Sequence, residues 1–257
     1  MRFPFGLVFG AALAGVAGFT IAAQAGGGEF PAAEKSAIEK IVHDYLLANP
    51  VVVKEAIEEL ERRQKAEETA TRDKVVEEKS DRIFNSPNQA VVGNPAGDLT
   101  LVEFFDYNCG YCKRSVETVA KLIEADPKLR VVLKDFAILG PDSVEAAQVA
   151  NAARMQLSSQ KFWDFHRKLL GTKGHIGKAQ AMAAAREVGA DMARLEKDLA
   201  RPETQAALRE VTELADALHF DGTPAWVVGR TAVVGGVPYA ELKSKLDAFR
   251  KCGKAEC

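Results

Sequence analysis

The sequence predicts an α/β domain with a helical insertion, preceded by an N-terminal helical stalk. Three observations predict this fold class. Two apolar segments, residues 99–105 and 129–139, flank an amphipathic helical segment and predict a β-α-β unit with a right-handed crossover. An almost entirely helical stretch follows over residues 142–218. The chain then continues into a β-hairpin and a final helix over residues 224–251.

The composition is that of an ordinary soluble globular protein. The 257 residues are 47% hydrophobic and 27% charged, which is ample material for a core. The formal net charge of −2 gives no reason to expect nucleic acid or an anionic membrane as a partner. The length allows one large domain, or a medium domain with an appendage.

Residues 1–25 form a predicted signal peptide. Arg2 is the only charged residue before Glu29, and the apolar run between them ends in a small-x-small triplet at Ala25. A single membrane anchor is the alternative, because the apolar run is long enough to span a membrane. The triplet favours cleavage after Ala25, so we expect export to the periplasm.

Residues 26–84 are predicted to form an N-terminal helical oligomerisation region and stalk. Apolar residues recur there at spacings of three and four, at Ile38, Ile41, Val42, Tyr45, Leu46, Val53, Ile57 and Leu60. Asn49, as N-cap, and Pro50, as first helical residue, separate two helices. Residues 61–74 carry no large apolar side chain, which is typical of an exposed helix. Self-association through the apolar face is therefore predicted, with packing onto the main domain as the alternative.

Residues 85–257 form the predicted main domain. Its strands and helices are, in order, the strand Leu99–Phe105, the helix Cys112–Ala125, the strand Leu129–Leu139, the helical insertion over about 142–218, a hairpin that turns at Gly229-Arg230, and the helix Pro238–Lys251. Breaks in the insertion are expected at Ser158-Ser159, Gly171–Gly177, Gly189 and Pro202. This order is that of a thioredoxin-like fold with an inserted helical domain.

The stretch DYNCGYC places Cys109 at a strand-to-helix junction and Cys112 one turn inside the helix. Cysteines at this spacing occur in metal sites, structural disulfides and disulfide exchange alike. Export places them in an oxidising compartment, and the absence of a neighbouring His disfavours haem and zinc. A helix N-terminus favours thiolate. We therefore expect Cys109 as an exposed nucleophile and Cys112 as a buried resolving thiol, without cofactor or metal.

Two further features are candidate parts of the same site. Glu103 lies in the strand that leads to Cys109, where burial would raise its pKa and suit proton relay to or from Cys112. An edge carboxylate that faces water is the alternative. Thr223-Pro224 opens the hairpin, and by residue type alone an ordinary trans peptide bond is expected there.

Over residues 90–250, the stretch VEFFDYNCGYC, the helical insertion and the stretch GTPAW resemble the DsbA-type thiol:disulfide oxidoreductases of the bacterial periplasm. The N-terminal stretch IEKIVHDYLLANPVVVKEAIEELERRQ is similar to the trimerisation region of the ScsC proteins, a subgroup linked to copper tolerance. The resemblance implies a catalytic Cys109/Cys112 pair, a proton-relay role for Glu103, and a cis Thr223–Pro224 bond beside the substrate backbone. It also implies a homotrimer that carries three catalytic domains on a helical stalk.

Gly110-Tyr111 stands where the strong oxidase of this family has Pro-His. Loss of that His removes a positive partner of the thiolate, so we expect a weaker oxidant. The family's isomerases often carry Gly-Tyr, with Thr before the cis proline. Isomerisation of wrong disulfides in exported cysteine-containing proteins is therefore predicted, with a membrane redox partner that keeps Cys109 reduced.

Two alternative functions remain open at this point, a monomeric dithiol oxidase and a copper-handling or chaperone module. The short apolar seam also fits a dimer nearly as well as a trimer.

Cys252 and Cys257 form a possible second disulfide, which would close a loop too short to stabilise the fold much. An auxiliary redox pair and soft-metal ligation are its alternatives. Surface or core positions, rather than catalytic ones, are expected for His43, His166, His175 and His219.

Overall fold

The computed structural model describes residues 30–254 and residue 257, so the predicted signal peptide lies outside the described residues. The chain divides into two compact units, one that ends at Glu58 and one from Glu59 to Cys257. No helix among the described residues is both long and apolar enough to cross a membrane.

The first unit contains α1 (Ala32–Ala48) and the start of α2 (Pro50–Glu78). The helix break falls where it was predicted: Asn49 precedes Pro50, the first residue of α2, and its carbonyl oxygen accepts from Val52 N at 3.0 Å. Its side-chain Nδ2 donates to Tyr45 O at 2.9 Å and thereby closes α1. No residue of α1 is buried. The predicted face is therefore solvent-exposed in the single chain, at Ile38, Ile41, Val42, Tyr45, Val53 and Ile57.

The second unit contains a five-stranded sheet in the order β1-β3-β2-β4-β5. The strands are β1 (Ala90–Gly93), β2 (Leu99–Phe105), β3 (Leu129–Asp135), β4 (Ala225–Val228) and β5 (Thr231–Val234). β2 and β3 are parallel, and the other neighbours are antiparallel. β1 was not predicted, because four residues give little periodic signal. β3 ends at Asp135, before the predicted Leu139. The N–H groups of Ile138 and Leu139 donate to the Asp106 carboxylate instead of to carbonyl oxygens of a neighbouring strand.

The helices of this unit flank the sheet. They are α3 (Ser80–Phe84), α4 (Gly110–Ala125), α5 (Pro141–Arg154), α6 (Ser159–Leu170), α7 (Lys178–Glu187), α8 (Met192–Leu199), α9 (Pro202–Ala217) and α10 (Tyr239–Cys252). α4 joins the parallel strands β2 and β3, and α5 to α9 form the insertion. Each predicted break in the insertion falls at a helix boundary. The β-α-β unit, the helical insertion, and the closing hairpin and helix follow in the predicted order, which confirms the thioredoxin-like fold with an inserted helical domain.

Two apolar cores lie on the two faces of the sheet, because successive side chains of a strand point to opposite faces. Leu101 and Phe105 belong to the core that contains both Cys109 and Cys112. Phe104, with its neighbour Val102, belongs to the core beneath α9.

The second unit begins at Glu59, which differs from the predicted division between residues 84 and 85. Val76 of α2 and Ile83 of α3 are buried in the core beneath α9. Arg72 of α2 also donates to the carbonyl oxygen of Leu218 at 3.0 Å. The sequence did not predict that α2 packs on this unit, because residues 61–74 are polar. The contacts are made by Arg72, near the end of that segment, and by Val76 and Ile83, which follow it.

Candidate active site

The two cysteines of the CGYC stretch lie at the start of α4, on the side of the sheet that carries the larger core. Cys109 is the N-cap residue, and its Sγ accepts a hydrogen bond from the Cys112 N–H at 3.4 Å. The unpaired N–H groups of a helix start and its partial positive charge favour an anion at this position. Both residues are free cysteines in the structure.

Their pKa values are displaced in opposite directions. The hydrogen bond from the Cys112 thiol, with smaller contributions from Thr223 and the α4 backbone, lowers the pKa of Cys109 to about 5 despite the opposing effect of burial. Burial raises the pKa of the Cys112 thiol far above its ordinary value. At neutral pH the pair therefore combines one thiolate and one firmly protonated thiol, which suits Cys109 to attack a disulfide sulfur.

The predicted exposure of Cys109 needs correction. The residue is only 6% exposed, against 0% for Cys112, so it is the more accessible of the two but not an open surface thiol. The reason is the neighbouring loop, whose Thr223 carbonyl oxygen accepts a hydrogen bond from the Cys109 thiol at 3.1 Å. The buried position of Cys112 is as predicted.

Glu103 is a buried carboxyl in the middle of β2. It points to the same face as Leu101 and Phe105, which is the face that carries the cysteine pair. Burial raises the pKa of Glu103 to about 8, and a hydrogen bond from Ser115 opposes part of that rise. Its charge in turn raises the pKa of Cys112. The edge-carboxylate alternative is therefore wrong, because the carboxyl is buried.

The Thr223–Pro224 peptide bond is cis, as the resemblance implied. Pro224 O accepts from Gly235 N at 2.8 Å, which ties this loop to the end of β5. Trp226 is fully buried behind it and donates through Nε1 to Gly235 O at 2.9 Å. The loop therefore faces Cys109 on one side and is fixed to the hairpin on the other.

Gly110-Tyr111 forms the outer surface of the site. Tyr111 is 60% exposed, and the Arg114 guanidinium lies over its ring at 4.4 Å from the ring centroid. The ring is also close to Gly236, where a Cβ atom would lie 2.9 Å from Tyr111 Cδ1. The ring is thus held between a cation and a glycine that has no side chain.

Three polar residues of the site were missed by the sequence reasoning. Asp106 is buried, accepts from Asn108 N at 2.7 Å and Ser143 Oγ at 2.7 Å, and so fixes the turn before Cys109. Asn108 donates to Ile176 O and accepts from Ile176 N, which ties this turn to the insertion. Asp and Asn just after a strand signal such a turn, because their side chains bond the backbone two residues on.

Ser115 is the third missed residue. Its hydroxyl donates to Glu103 Oε1 at 2.9 Å and lies 3.1 Å from Cys112 O. Its signal in the sequence was weak, since a serine on a helix face that otherwise carries apolar residues has many ordinary explanations.

The remaining predicted residues lie outside this cluster. Cys252 and Cys257 are joined by a disulfide on the surface. His166 is buried among aromatic rings that include Phe105 of β2 and Trp163 of α6, and this burial lowers its pKa to about 3. In the described part of the chain, no group of three or more His, Cys, Asp or Glu side chains is arranged to hold a metal ion.

Comparison with known families gives two matches. The family model of the DSBA-like thioredoxin domain matches residues 100–247, which include the cysteine pair and the cis proline. The model of the N-terminal domain of the copper resistance protein ScsC matches residues 34–67, which include the exposed apolar face.

Individual proteins that are similar to this chain agree with the family matches. A thioredoxin-like oxidoreductase from Silicibacter pomeroyi DSS-3 is 43% identical, with a TM-score of 0.63 over 67% of this chain and 98% of that one. Proteus mirabilis ScsC in a transitional conformation is 28% identical, with a TM-score of 0.60 over 83% of this chain and 95% of that one. The thiol:disulfide interchange protein DsbA of Bordetella pertussis is 30% identical over 62% of this chain and 79% of that protein.

Some curated relatives are much longer. The chain matches Na(+)/H(+) antiporter NhaA 1 of Salinispora arenicola with 28% identity, but it spans only 21% of that protein. The match covers 54% of the present chain.

Proposed function

This chain belongs to the DSBA-like thioredoxin-domain family, and from that premise we propose that it is a periplasmic thiol:disulfide oxidoreductase, specifically an oligomeric isomerase of exported proteins. The observation that carries the proposal is the arrangement around Cys109. A thiol with a lowered pKa lies at a helix N-terminus, beside a buried thiol and 3.1 Å from the carbonyl of a cis-proline loop.

The chemistry follows from this arrangement. The Cys109 thiolate attacks one sulfur of a wrong substrate disulfide, so an S–S bond to Cys109 forms as the substrate S–S bond breaks. The departing substrate sulfur leaves as a thiolate. In isomerisation, another substrate thiolate attacks the substrate sulfur of this mixed disulfide, which forms the new disulfide and releases the Cys109 thiolate.

Cys112 provides an escape from a trapped mixed disulfide. Its sulfur attacks Cys109, which yields the Cys109–Cys112 disulfide and a reduced substrate thiolate. Cys112 must lose a proton first, and its raised pKa makes that step unfavourable without a base. Glu103, with a pKa of about 8, is the group proposed to accept that proton. A dithiol reductase of the membrane would then return the pair to its reduced state.

The oligomer is proposed from the N-terminal unit. Ile41 and Tyr45 of the predicted apolar face are 67% and 55% exposed in the single chain, and exposure of so many apolar side chains on one short unit is typical of an interface. We propose a homotrimer rather than a dimer because this N-terminal stretch resembles the trimerisation region of the ScsC proteins. Several catalytic domains in one assembly would let one substrate chain meet more than one Cys109.

The test is the recovery of activity by a scrambled multi-disulfide protein in glutathione buffer, with the mass of the enzyme in solution measured in parallel. Ile41→Glu places a charge on the apolar face, and Ser36→Glu places the same charge on a different face of α1. We expect the wild type and Ser36→Glu to be trimers that unscramble the substrate. We expect Ile41→Glu to be a monomer that oxidises dithiols but unscrambles poorly.

The alternatives predict different results. Equal oxidation and no unscrambling by all three proteins, each a monomer, would identify a dithiol oxidase. Stoichiometric copper on the purified protein, with loss of interchange activity when Cu(I) is added, would favour a copper-handling role. Unscrambling by a stable dimer would keep the isomerase and correct the oligomer number.

A further inference from the structure

The loop that presents the cis proline is held at its far end by an arginine of α2. Arg72 Nε donates to Leu218 O at 3.0 Å, and Nη2 donates to His219 O at 3.2 Å. The Arg72 side chain is only 17% exposed, so the guanidinium lies against these carbonyls rather than in solvent. A planar guanidinium that binds two adjacent oxygens fixes their direction as well as their distance.

These two carbonyls belong to the turn in which α9 ends. Leu218 is the C-cap residue of α9. His219 follows with a φ of +50°, and it is the single non-glycine residue with positive φ in the described part of the chain. Glycine is the usual residue at such a position, because a side chain makes the left-handed region unfavourable. A histidine there needs contacts that hold the turn, and Arg72 supplies one of them at His219 and one at Leu218.

A short segment connects this turn to the catalytic cysteine. Phe220 is buried, and its ring meets Phe104 of β2 edge-on at 5.1 Å between centroids. Three residues further along the chain comes Thr223, whose carbonyl accepts from the Cys109 thiol. A hydrogen bond of the Thr223 side chain helps to lower the pKa of Cys109. With so few residues between, a shift of the turn would move Thr223.

We propose that Arg72 is a positioning residue for the substrate-binding loop, an inference that rests on the proposed disulfide interchange. It holds the turn at Leu218 and His219 so that Thr223 stays at hydrogen-bond distance from Cys109. The C-terminal part of α2 is thereby part of the active-site architecture, and not only a link to the N-terminal helices.

The experiment compares Arg72→Met, Arg72→Lys and the control Lys74→Met in the full chain. Lys74 lies on the same helix, is 76% exposed, and its ammonium lies 3.8 Å from the carboxylate of Glu78. Two readouts are used at a temperature where all variants are folded by circular dichroism. One is the pH dependence of iodoacetamide alkylation at Cys109, and the other is kcat and KM for reduction of a peptide disulfide.

For Arg72→Met we expect a raised pKa of Cys109, because the Thr223 side chain that helps to lower it moves away. We also expect a KM increase of about tenfold, because the displaced loop binds the substrate less well, at about 1.4 kcal/mol per factor of ten. Arg72→Lys keeps one charged donor and should fall between Arg72→Met and the wild type. Lys74→Met should match the wild type in both readouts. If Arg72→Met does not fold, the comparison of Arg72→Lys with Lys74→Met decides.

A lowered melting temperature with unchanged Cys109 pKa and unchanged KM would overturn the inference and leave Arg72 a purely structural residue. The alkylation readout needs no interchange activity. If the wild type fails to reduce the peptide while Arg72→Met still shifts the pKa of Cys109, the proposed function fails and the positioning role stands.

Discussion

The Ser115 hydroxyl donates a hydrogen bond to Glu103 Oε1 at 2.9 Å, inside the core that also holds Cys112. Burial is the largest influence on the pKa of this carboxyl, and the neutral hydroxyl only partly offsets it. A carboxyl in this state binds and releases a proton near neutral pH.

Replacement of Ser115 by Ala should raise the pKa of Glu103 further, because the hydrogen bond that is lost favours the ionised form. The pH profile of release from a trapped mixed disulfide should then move to higher pH, as a stopped-flow series would detect. In a Glu103→Gln background, Ser115→Ala should cause no further shift of the profile. An equal shift in both backgrounds would mean that Ser115 does not act through Glu103.

The stability of the reduced protein should depend on Glu103 in a defined pH window. The carboxyl has an ordinary pKa of 4.5 and a folded pKa of about 8, so between these pH values the folded state keeps a proton that the unfolded state has released. The folded state is therefore progressively destabilised as pH rises through this window.

Glu103→Gln keeps the shape of the protonated acid and removes this dependence. At about 1.4 kcal/mol per pKa unit, the variant should exceed the wild type in unfolding free energy by about 3–5 kcal/mol at pH 9, with no such gain at pH 4.5. Urea titrations at both pH values measure the difference in unfolding free energy between the variant and the wild type. The contributions of the other titrating groups are the same in both proteins and cancel in this difference. A gain that is the same at both pH values would contradict the assignment.

Alkylation should separate the two cysteines of the pair. Iodoacetamide should modify Cys109 with an inflection near pH 5, because only the thiolate reacts. Cys112 should stay unmodified up to about pH 9, since burial both raises its pKa and excludes the reagent. Peptide mass mapping across the pH range checks both statements, and Cys252 and Cys257, joined as a disulfide, serve as the internal control. Modification of Cys112 before Cys109 would reverse the assigned roles.

The sequence predicted the parts of the fold and site that depend on local patterns. β2 is an apolar run of strand length, and the position of Cys109 at a helix N-terminus follows directly from the end of that run. Both could be located without knowledge of the tertiary structure. The pKa displacement of Glu103 was predictable for the same reason, because its neighbours in the strand are apolar.

The contacts that were missed join residues distant in sequence. Asn108 binds Ile176 across the insertion, and Arg72 binds a turn beyond the end of α9. Neither pairing produces a pattern in the sequence. A polar side chain can bind the backbone carbonyl of any residue, so the residue type at the carbonyl carries no signal. The partial burial of Cys109 has the same origin, because the loop that covers it follows the whole insertion.

The contact between Tyr111 and Gly236 predicts a substitution that affects substrate binding more than thiol chemistry. In Gly236→Ala the new Cβ would lie 2.9 Å from Tyr111 Cδ1, so the ring must move and its stacking with Arg114 is disturbed. Tyr111 helps to lower the pKa of Cys109 through a hydrogen bond of its backbone, which a movement of the ring leaves in place. KM for a disulfide-containing peptide should therefore rise by about three- to tenfold, at about 1.4 kcal/mol per factor of ten, with the alkylation profile of Cys109 unchanged.

A double-mutant cycle tests whether the ring carries this effect. Tyr111→Ala removes the atoms that the new methyl group would meet, so Gly236→Ala should raise KM in the wild type but have little further effect in the Tyr111→Ala background. Steady-state kinetics of the four proteins give the coupling between the two sites directly. Additive effects would show that Gly236 acts through the backbone of the β5 end, which also holds Pro224, because that route does not require the tyrosine ring.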